Sequence, residues 1–494
     1  MSLSNAWDVA TTSLATNAGL TSIVSRNIAN AQNSSGYVST KVGNLVTGLN
    51  GAATIASISD LANATLFNSM LSSTSATAAS QALSDGVTRL QQTVGDATST
   101  SSSTTAAQSP STLLQALNTA LQTYSSSPGS ASAAAGVLSA AQNLAGGLNS
   151  ASASVASVRG TADQAMVNSI ATINSLLSQF QTVNTAIVKG AATGADISDA
   201  LDQRDTILQN LSKQIGITTT TNSNGSMAIY TDSGATLFDV TPRSVTMAPT
   251  TTFTAATSGA AVYVDGVPVT GANAVMPIQS GALAGLATLR DNVSVQYQAQ
   301  LDSIAGGLVN TFAETNSSTG AQAPGLFTYF GATSVPGSSL VAGLAGEIKV
   351  SSAVDPSQGG SLNLIRDGGI NGSAYVQNTT GAAGYSAAIQ KDIGALSGTV
   401  IFPSAGGLTT SSSLTDYTAS SASWLDGQYQ AASNQASYQS TLLSQATQAL
   451  SNATGVNIDA QMSKMLDLEN SYQASAKLIS TINTMFGALL QAVA

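Results

Sequence analysis

Residues 456–494 read VNIDAQMSKMLDLENSYQASAKLISTINTMFGALLQAVA. Apolar side chains return every seven positions through Ile458, Met465, Tyr472, Ile479, Phe486 and Val493. A second apolar line runs beside them through Leu468, Ile482 and Leu489, with Met462, Ala476 and Leu490 on its far edge. The stretch holds no Pro and one Gly, Gly487. That spacing predicts one long helix with a stripe at coiled-coil period. Such a stripe at a chain end needs a partner, and the first helix offers one. Trp7, Leu14 and Ile28 stand seven or fourteen apart, with Leu3, Ala10 and Val24 alongside. The two chain ends are expected to pair, with everything between them an insertion. The ordinary alternative is a C-terminal helix that closes one globular core.

Working outward, residues 2–31 read as one amphipathic helix, weakened by about 1 kcal/mol at Gly19. Residues 37–49 read as irregular or extended, and a helix is expected to begin again near Asp60. Helices then run to Gly216: 79–94, 111–124, 131–148, and a long one over 153–189 that carries Met166, Ile173, Phe180 and Ile187 and stops at Gly190. The Ser/Thr run at 98–107 reads as a mobile loop. The helix over 197–215 is the most fully specified, with Asp196 as cap, Asp199 and Asp202 at the positive end of its dipole and Lys213 at the other. Beyond Gly216 the period becomes alternating. Residues 217–231 form a hairpin about Asn224-Gly225, and short strands follow at 236–240, 244–248 and 261–269. Residues 281–314 return to helix, 324–407 are Gly-rich with strands at 347–352 and 399–402, and 416–453 are helical again.

The fold class is therefore α+β and multidomain: long terminal coiled-coil-like helices, a helical-bundle domain and inserted β-rich outer domains. The expected units are 1–45 with 455–494 for the terminal helices, and 46–215 with 280–322 and 415–454 for the bundle. The insertions are 216–279, β-rich, and 323–414, Gly-rich and β or irregular.

Composition excludes much chemistry. The 494 residues carry 14 Lys and Arg against 24 Asp and Glu, a net charge of −10, with neither Cys nor His. Thiolate and imidazole catalysis, disulfides and His–Cys zinc sites are impossible. The acidic balance argues against nucleic acid, and no apolar run reaches the ~20 residues of a membrane span. No cleavable signal peptide is readable, since Asp8 falls where its apolar core would be. Asp196, Asp199, Asp202 and Asp205 crowd one stretch. A carboxylate pair there suits acid/base or metal chemistry; capping, dipole compensation and an ion pair with Arg204 are favoured, because no other ligand is readable nearby. No enzyme activity and no cofactor are expected.

Three stretches resemble the flagellar axial proteins, and among them the first hook–filament junction family of hook-associated proteins. Asn27-Ile28-Ala29-Asn30-Ala31, followed by Gly36-Tyr37, is similar to the family's N-terminal signature, with a link one residue longer and lacking its Pro. Ile58, Asp60 and Asn63 follow, without the family's Arg. Gly455-Val456-Asn457-Ile458-Asp459 and Tyr472 through Thr481 resemble the axial tail shared with rod and hook proteins. Leu201-Asp202-Gln203-Arg204-Asp205, with Leu208 and Leu211-Ser212, resembles the junction family. The resemblance implies a structural subunit that assembles through Trp7, Leu14, Val24, Ile28, Ile458, Met465, Tyr472, Ile479 and Phe486. Its implied partners are further copies of itself, the hook protein, the second junction protein and an export chaperone, with no nucleic acid and no membrane insertion. It implies an extracellular place in the flagellum, reached by type III export without cleavage. Another axial protein, of hook or flagellin type, is the nearer alternative; a secreted carbohydrate-active or adhesive protein is the remote one.

Overall fold

The structure, a computed structural model, describes residues 2–31, 39–48, 51–94 and 109–493. The Ser/Thr run at 98–107 and the motif residues Gly36 and Tyr37 lie outside the described residues. The chain opens with α1 (Leu3–Ala31), followed by an antiparallel hairpin, β1 (Lys41–Thr47) and β2 (Ala53–Asp60). It closes with α11 (Leu414–Thr454) and α12 (Ile458–Val493), and α12 lies against α1. Leu20, Ile23, Val24 and Leu468 form a small core there, with Ile28, Ile55, Ile58 and Met465 packed on it. At Gly19, Ile55 Cδ1 sits 2.7 Å from where a Cβ would be. The helix accepts this weak residue because β2 needs its space.

The body begins with α2 (Ala64–Val94). Asn63 caps it, its Oδ1 accepting from the Leu66 N–H at 3.1 Å. The helix starts there rather than at Asp60, which is held in β2. It is one element where the sequence suggested a re-entry near Asp60 and a separate helix over 79–94. Next come α3 (Pro110–Ser126), capped by Ser109 with Pro at its first position, and α4 (Ala131–Thr193). At 63 residues α4 joins the two helices expected from the sequence, because Leu144, Leu148, Ala151, Val155 and Val158 carry the buried stripe across the join. It runs through Gly190 to a left-handed cap at Gly194. Then α5 (Ser198–Gln214) leads into the β insertion.

That insertion holds two three-stranded sheets. One is β3 (Ile217–Thr221), β4 (Met227–Thr231) and β5 (Thr236–Phe238), turning at Gly225 with a positive φ. The other is β6 (Val245–Thr246), β7 (Tyr263–Val264) and β8 (Val267–Pro268). Asp265 and Gly266 both take positive φ between β7 and β8, which breaks the single strand expected over 261–269 into a tight hairpin. Both sheets are tied to α4: the Met227 N–H donates to Asn184 Oδ1 at 2.9 Å, and Asn174 Nδ2 donates to the Val245 carbonyl at 2.8 Å.

The chain returns through α6 (Ala282–Thr288), a π turn at Leu289–Val293 and α7 (Ser294–Thr311). The remaining pieces are small: β9 (Glu314–Thr315), β10 (Gln322–Ala323), β11 (Phe327–Thr328), α8 (Leu344–Glu347), β12 (Lys349–Val350), α9 (Asn363–Asp367), α10 (Ala387–Ser397), β13 (Thr399–Ile401) and β14 (Ser411–Ser413). The helix α10 stands in a stretch read from sequence as β or irregular; it buries Ala388, Ile389 and Leu396. Two large cores result. One gathers α3, the first half of α4, α7 and the pieces around α10. The other joins the second half of α4, α5 and both sheets.

Candidate assembly interface and its docking charges

Three polar pairs set the register of the terminal helices. Ser13 and Ser475 hydroxyls lie 3.2 Å apart, Asn17 Nδ2 donates to Ser471 Oγ at 2.8 Å, and Asn27 Nδ2 donates to Gln461 Oε1 at 3.1 Å. The residue numbers in each pair add to 488, so the helices run antiparallel in one fixed register. Polar pairs in an apolar seam specify alignment in this way. Leu3 then falls opposite Met485, and the last turns of α12 extend past α1.

Of the two apolar lines on α12, the line of Leu468 and Ile482 is the one buried against α1, at 8% and 5% exposed. Met465, Ile479 and Phe486 are half-buried beside it. Tyr472 is 48% exposed and Ile458 43%, both on the open edge. On α1, Val24 is buried, while Trp7, Leu14, Ile28 and Asn30 are half-buried. Met462, Leu466, Leu478, Met485, Leu489 and Leu490 are all exposed. The apolar surface of α12 is thus wider than one helix covers.

The hairpin and α5 hold this pair to the body. Asn27, 1% exposed, donates to the Lys41 carbonyl and accepts from the Lys41 N–H, both at 2.9 Å, besides reaching Gln461. One side chain therefore joins α1, β1 and α12. The Lys41 ammonium is fully buried, with Asp202 Oδ2 at 2.7 Å, Asp199 Oδ1 at 3.3 Å and Asp60 Oδ1 at 3.7 Å. Arg26 bonds Asp196 at 3.2 Å and faces Asp199 at 3.8 Å. The Thr40 N–H donates to the Thr454 carbonyl at 2.9 Å and its hydroxyl to the Gly455 carbonyl at 2.8 Å.

Asp196, Asp199 and Asp202 thus meet the two cations Arg26 and Lys41, and Asp205 does not take part. The ion pair expected between this acidic stretch and Arg204 is not among the close ion pairs of the described residues; Asp202 bonds Lys41, and Arg204 donates to the Gly225 carbonyl at 3.3 Å. Leu201 is half-buried and Gln203 exposed. The N-cap position of α5 is Ile197, which makes no side-chain cap bond; Asp196, one residue earlier, accepts from the Ser198 N–H at 3.0 Å and hydroxyl at 2.7 Å instead of capping. Sequence reasoning missed Lys41 as a site residue. Its signal was a lone cation at the start of an alternating segment in a chain with few charges.

Burial sets the acid–base behaviour of the cluster. It pushes Asp60 up to about 6 against the pull of Lys41. It pushes Asp205 up to about 7 against Arg204. Asp202 is raised by burial although Lys41 opposes it. For Lys41 burial works downward and is outweighed by the Asp202 bond and the surrounding carboxylates, so its ammonium is held above its ordinary range. Burial works upward on Asp196, but bonds from Ser198 and Arg26 hold it below the usual carboxylate range. No group of three or more acids among the described residues is arranged to hold a metal ion. No helix of the described residues is long and apolar enough to cross a membrane.

The helical pair keeps spare apolar surface and is tied by charge to the body, and two stretches of the chain match families of flagellar proteins. Residues 446–492 match the family of the flagellar basal body rod FlgEFG protein C-terminal. Residues 100–325 match the family of the flagellar hook-associated protein FlgK helical domain. The chain thus resembles the flagellar hook-associated proteins in its body and the rod proteins in its tail. Both families are parts of structural proteins rather than enzymes. A solved structure of the flagellar hook junction protein FlgK from Burkholderia pseudomallei is similar at 22% identity and a TM-score of 0.42, over 53% of this chain and 46% of that one. No curated protein matches the chain.

Proposed function

We propose that this protein is a structural subunit of the bacterial flagellum that joins hook to filament. The observation that carries the reading is the match of 100–325 to the hook-associated helical domain, which separates it from rod and hook proteins sharing only the tail. The exposed apolar residues of α12 supply the means. Each such side chain gains about 1.5–3 kcal/mol when fully buried, and that gain is collected when neighbouring subunits cover the pair. In this reading 1–45 with 455–494 form the inner assembling unit, and the bundle and the two insertions lie outside it. Further copies, the hook protein and the second junction protein are its partners, an export chaperone holds its tail before secretion, and type III export delivers it without cleavage.

Purified protein added to isolated hooks tests this. Labelled protein should decorate hook ends and permit filament growth from flagellin, and a strain lacking it should secrete flagellin without building filaments. Protein that never binds hook ends, with a deletion strain that swims normally, refutes the reading.

A further inference from the structure

The tripeptide Asn-Gly-Ser stands at 224–226 and again at 371–373. The two copies share their local geometry. Both asparagines are exposed, and both glycines take positive φ, 82° at Gly225 and 104° at Gly372. Each glycine N–H donates to a carbonyl three residues back, Gly225 to Asn222 at 3.0 Å and Gly372 to Gly369 at 2.9 Å. The side-chain amides differ. Asn371 Nδ2 donates to Glu314 Oε2 at 2.9 Å and to the Pro324 carbonyl at 2.8 Å, so that amide is pinned on two sides. Asn224 Nδ2 finds no protein acceptor among the described residues, while Asn224 Oδ1 accepts from the Ser226 N–H at 3.0 Å. That bond closes an Asx turn, which folds the side chain back over the Gly225 amide.

We propose that Asn224 is a site of self-modification by deamidation, and that Asn371, in the same tripeptide, is protected from it. Gly225 has no Cβ to shield its nitrogen, and the Asx turn keeps that nitrogen close to Asn224 Cγ. The Ser226 N–H polarises the side-chain carbonyl and receives the charge that develops on Oδ1 during attack, as backbone donors do for an oxyanion. Hydroxide takes the Gly225 proton, the nitrogen bonds to Asn224 Cγ, and Nδ2 leaves as ammonia with a proton from water. Water then opens the five-membered imide at either carbonyl, leaving aspartate or, with the main chain rerouted through the side chain, isoaspartate. The sum is one water consumed and one ammonia released, with no oxidant or reductant. At Asn371 the same attack must first break both amide bonds, one of them to a carboxylate. The change falls at a clamped place, because Arg204 donates to the Gly225 carbonyl at 3.3 Å and the Met227 N–H donates to Asn184 Oδ1 at 2.9 Å. Isoaspartate adds a carbon to the main chain just before those clamps and loosens the hairpin on α4 and α5. The inference goes beyond the assembly reading and does not depend on it.

The test holds the full chain in mildly alkaline buffer and follows the peptides carrying 224 and 371 by mass spectrometry, with isoaspartate separated from aspartate. Asn224 should convert at least about tenfold faster than Asn371, the factor given by roughly 1.4 kcal/mol, with isoaspartate among its products. In guanidinium chloride, where neither amide is held, most of that gap should vanish. Glu314→Ala should speed Asn371 in the folded chain and leave Asn224 as it was; the denatured comparison decides the matter if that variant fails to fold. The Met227 amide should exchange its hydrogen faster in the isoaspartate fraction. Equal rates in the folded chain, a faster Asn371, or a gap that survives undiminished in denaturant overturns the proposal. Unchanged exchange at Met227 in the isoaspartate fraction overturns the loosening of the hairpin.

Discussion

Replacing Lys41 by Met keeps the stem and removes the charge that three carboxylates share. The cost has two parts. The 2.7 Å bond to Asp202 is charge-assisted, and losing it costs about 1.5–3 kcal/mol. The second part falls on Asp60, whose acidity already stands at about 6 in the folded chain. Without Lys41 that group stays protonated in the fold. At about 1.36 kcal/mol per pH unit, holding it neutral at about pH 7.5 instead of charged adds roughly 2 kcal/mol. At about pH 5 the normal chain is already protonated there, and this second cost nearly vanishes. The total is about 3–5 kcal/mol near neutrality, the range for breaking a buried ion pair, and about 2 kcal/mol less in mild acid. Hydrogen exchange of the β1 and β2 amides reads the local opening that results. After correction for intrinsic rates, Lys41→Met should accelerate it by about two to nearly four decades at about pH 7.5 and by about one to two decades at about pH 5. An acceleration that is the same at both pH values refutes the role given to Asp60, and one below about threefold refutes the latch itself.

Other outcomes follow from the same contacts. In the unmodified chain the pKa values of Asp60 and Asp205 are raised to about 6 and about 7, so the fold binds protons more tightly than the unfolded chain does, and protection of β1 and β2 should rise as pH falls from 8 to 5. Asp202→Asn should destabilise the docking of α1 and the hairpin, measured by the same exchange, while leaving α5 helical by circular dichroism. Phe180→Ala should cost about 3–5 kcal/mol, read from thermal melts, since the ring is fully buried and lies edge-on to Phe238 at 4.9 Å. Tyr472→Asp, on the open edge of α12, should leave the monomer's melting unchanged and abolish addition to hook ends. Ile479→Asp, half-buried against α1, should weaken both.

The helices at the chain ends were legible because their heptad spacing lies in short windows, whereas the polar pairs that align them join residues 434 to 462 positions apart and were not readable. The hairpin at Asn224-Gly225 was legible for the same reason: its turn chemistry is local. The join within α4 was hidden, because the polar stretch between 148 and 153 is held by distant partners: the Asn149 amide donates to the Ala345 and Ile348 carbonyls. The partner of Asp202 was hidden more deeply. Lys41 lies 161 positions away, and no local rule links a strand's first residue to a helix's second turn. Gly19 was read as a weakness with no benefit, since its neighbour Ile55 is brought to it only by the fold.

The terminal pair is joined to the body by two separate stretches of backbone, one leaving α1 toward β1 and one running from α11 into α12. A rod attached by one tether can swivel about it; a rod attached by two, with Thr40 clamped to Thr454 and Gly455 between them, cannot turn without winding one tether over the other. Twist applied to the body is therefore delivered to the helices at their base as torque. Both tethers lie at that base, and the free ends of the chain lie together at the opposite tip.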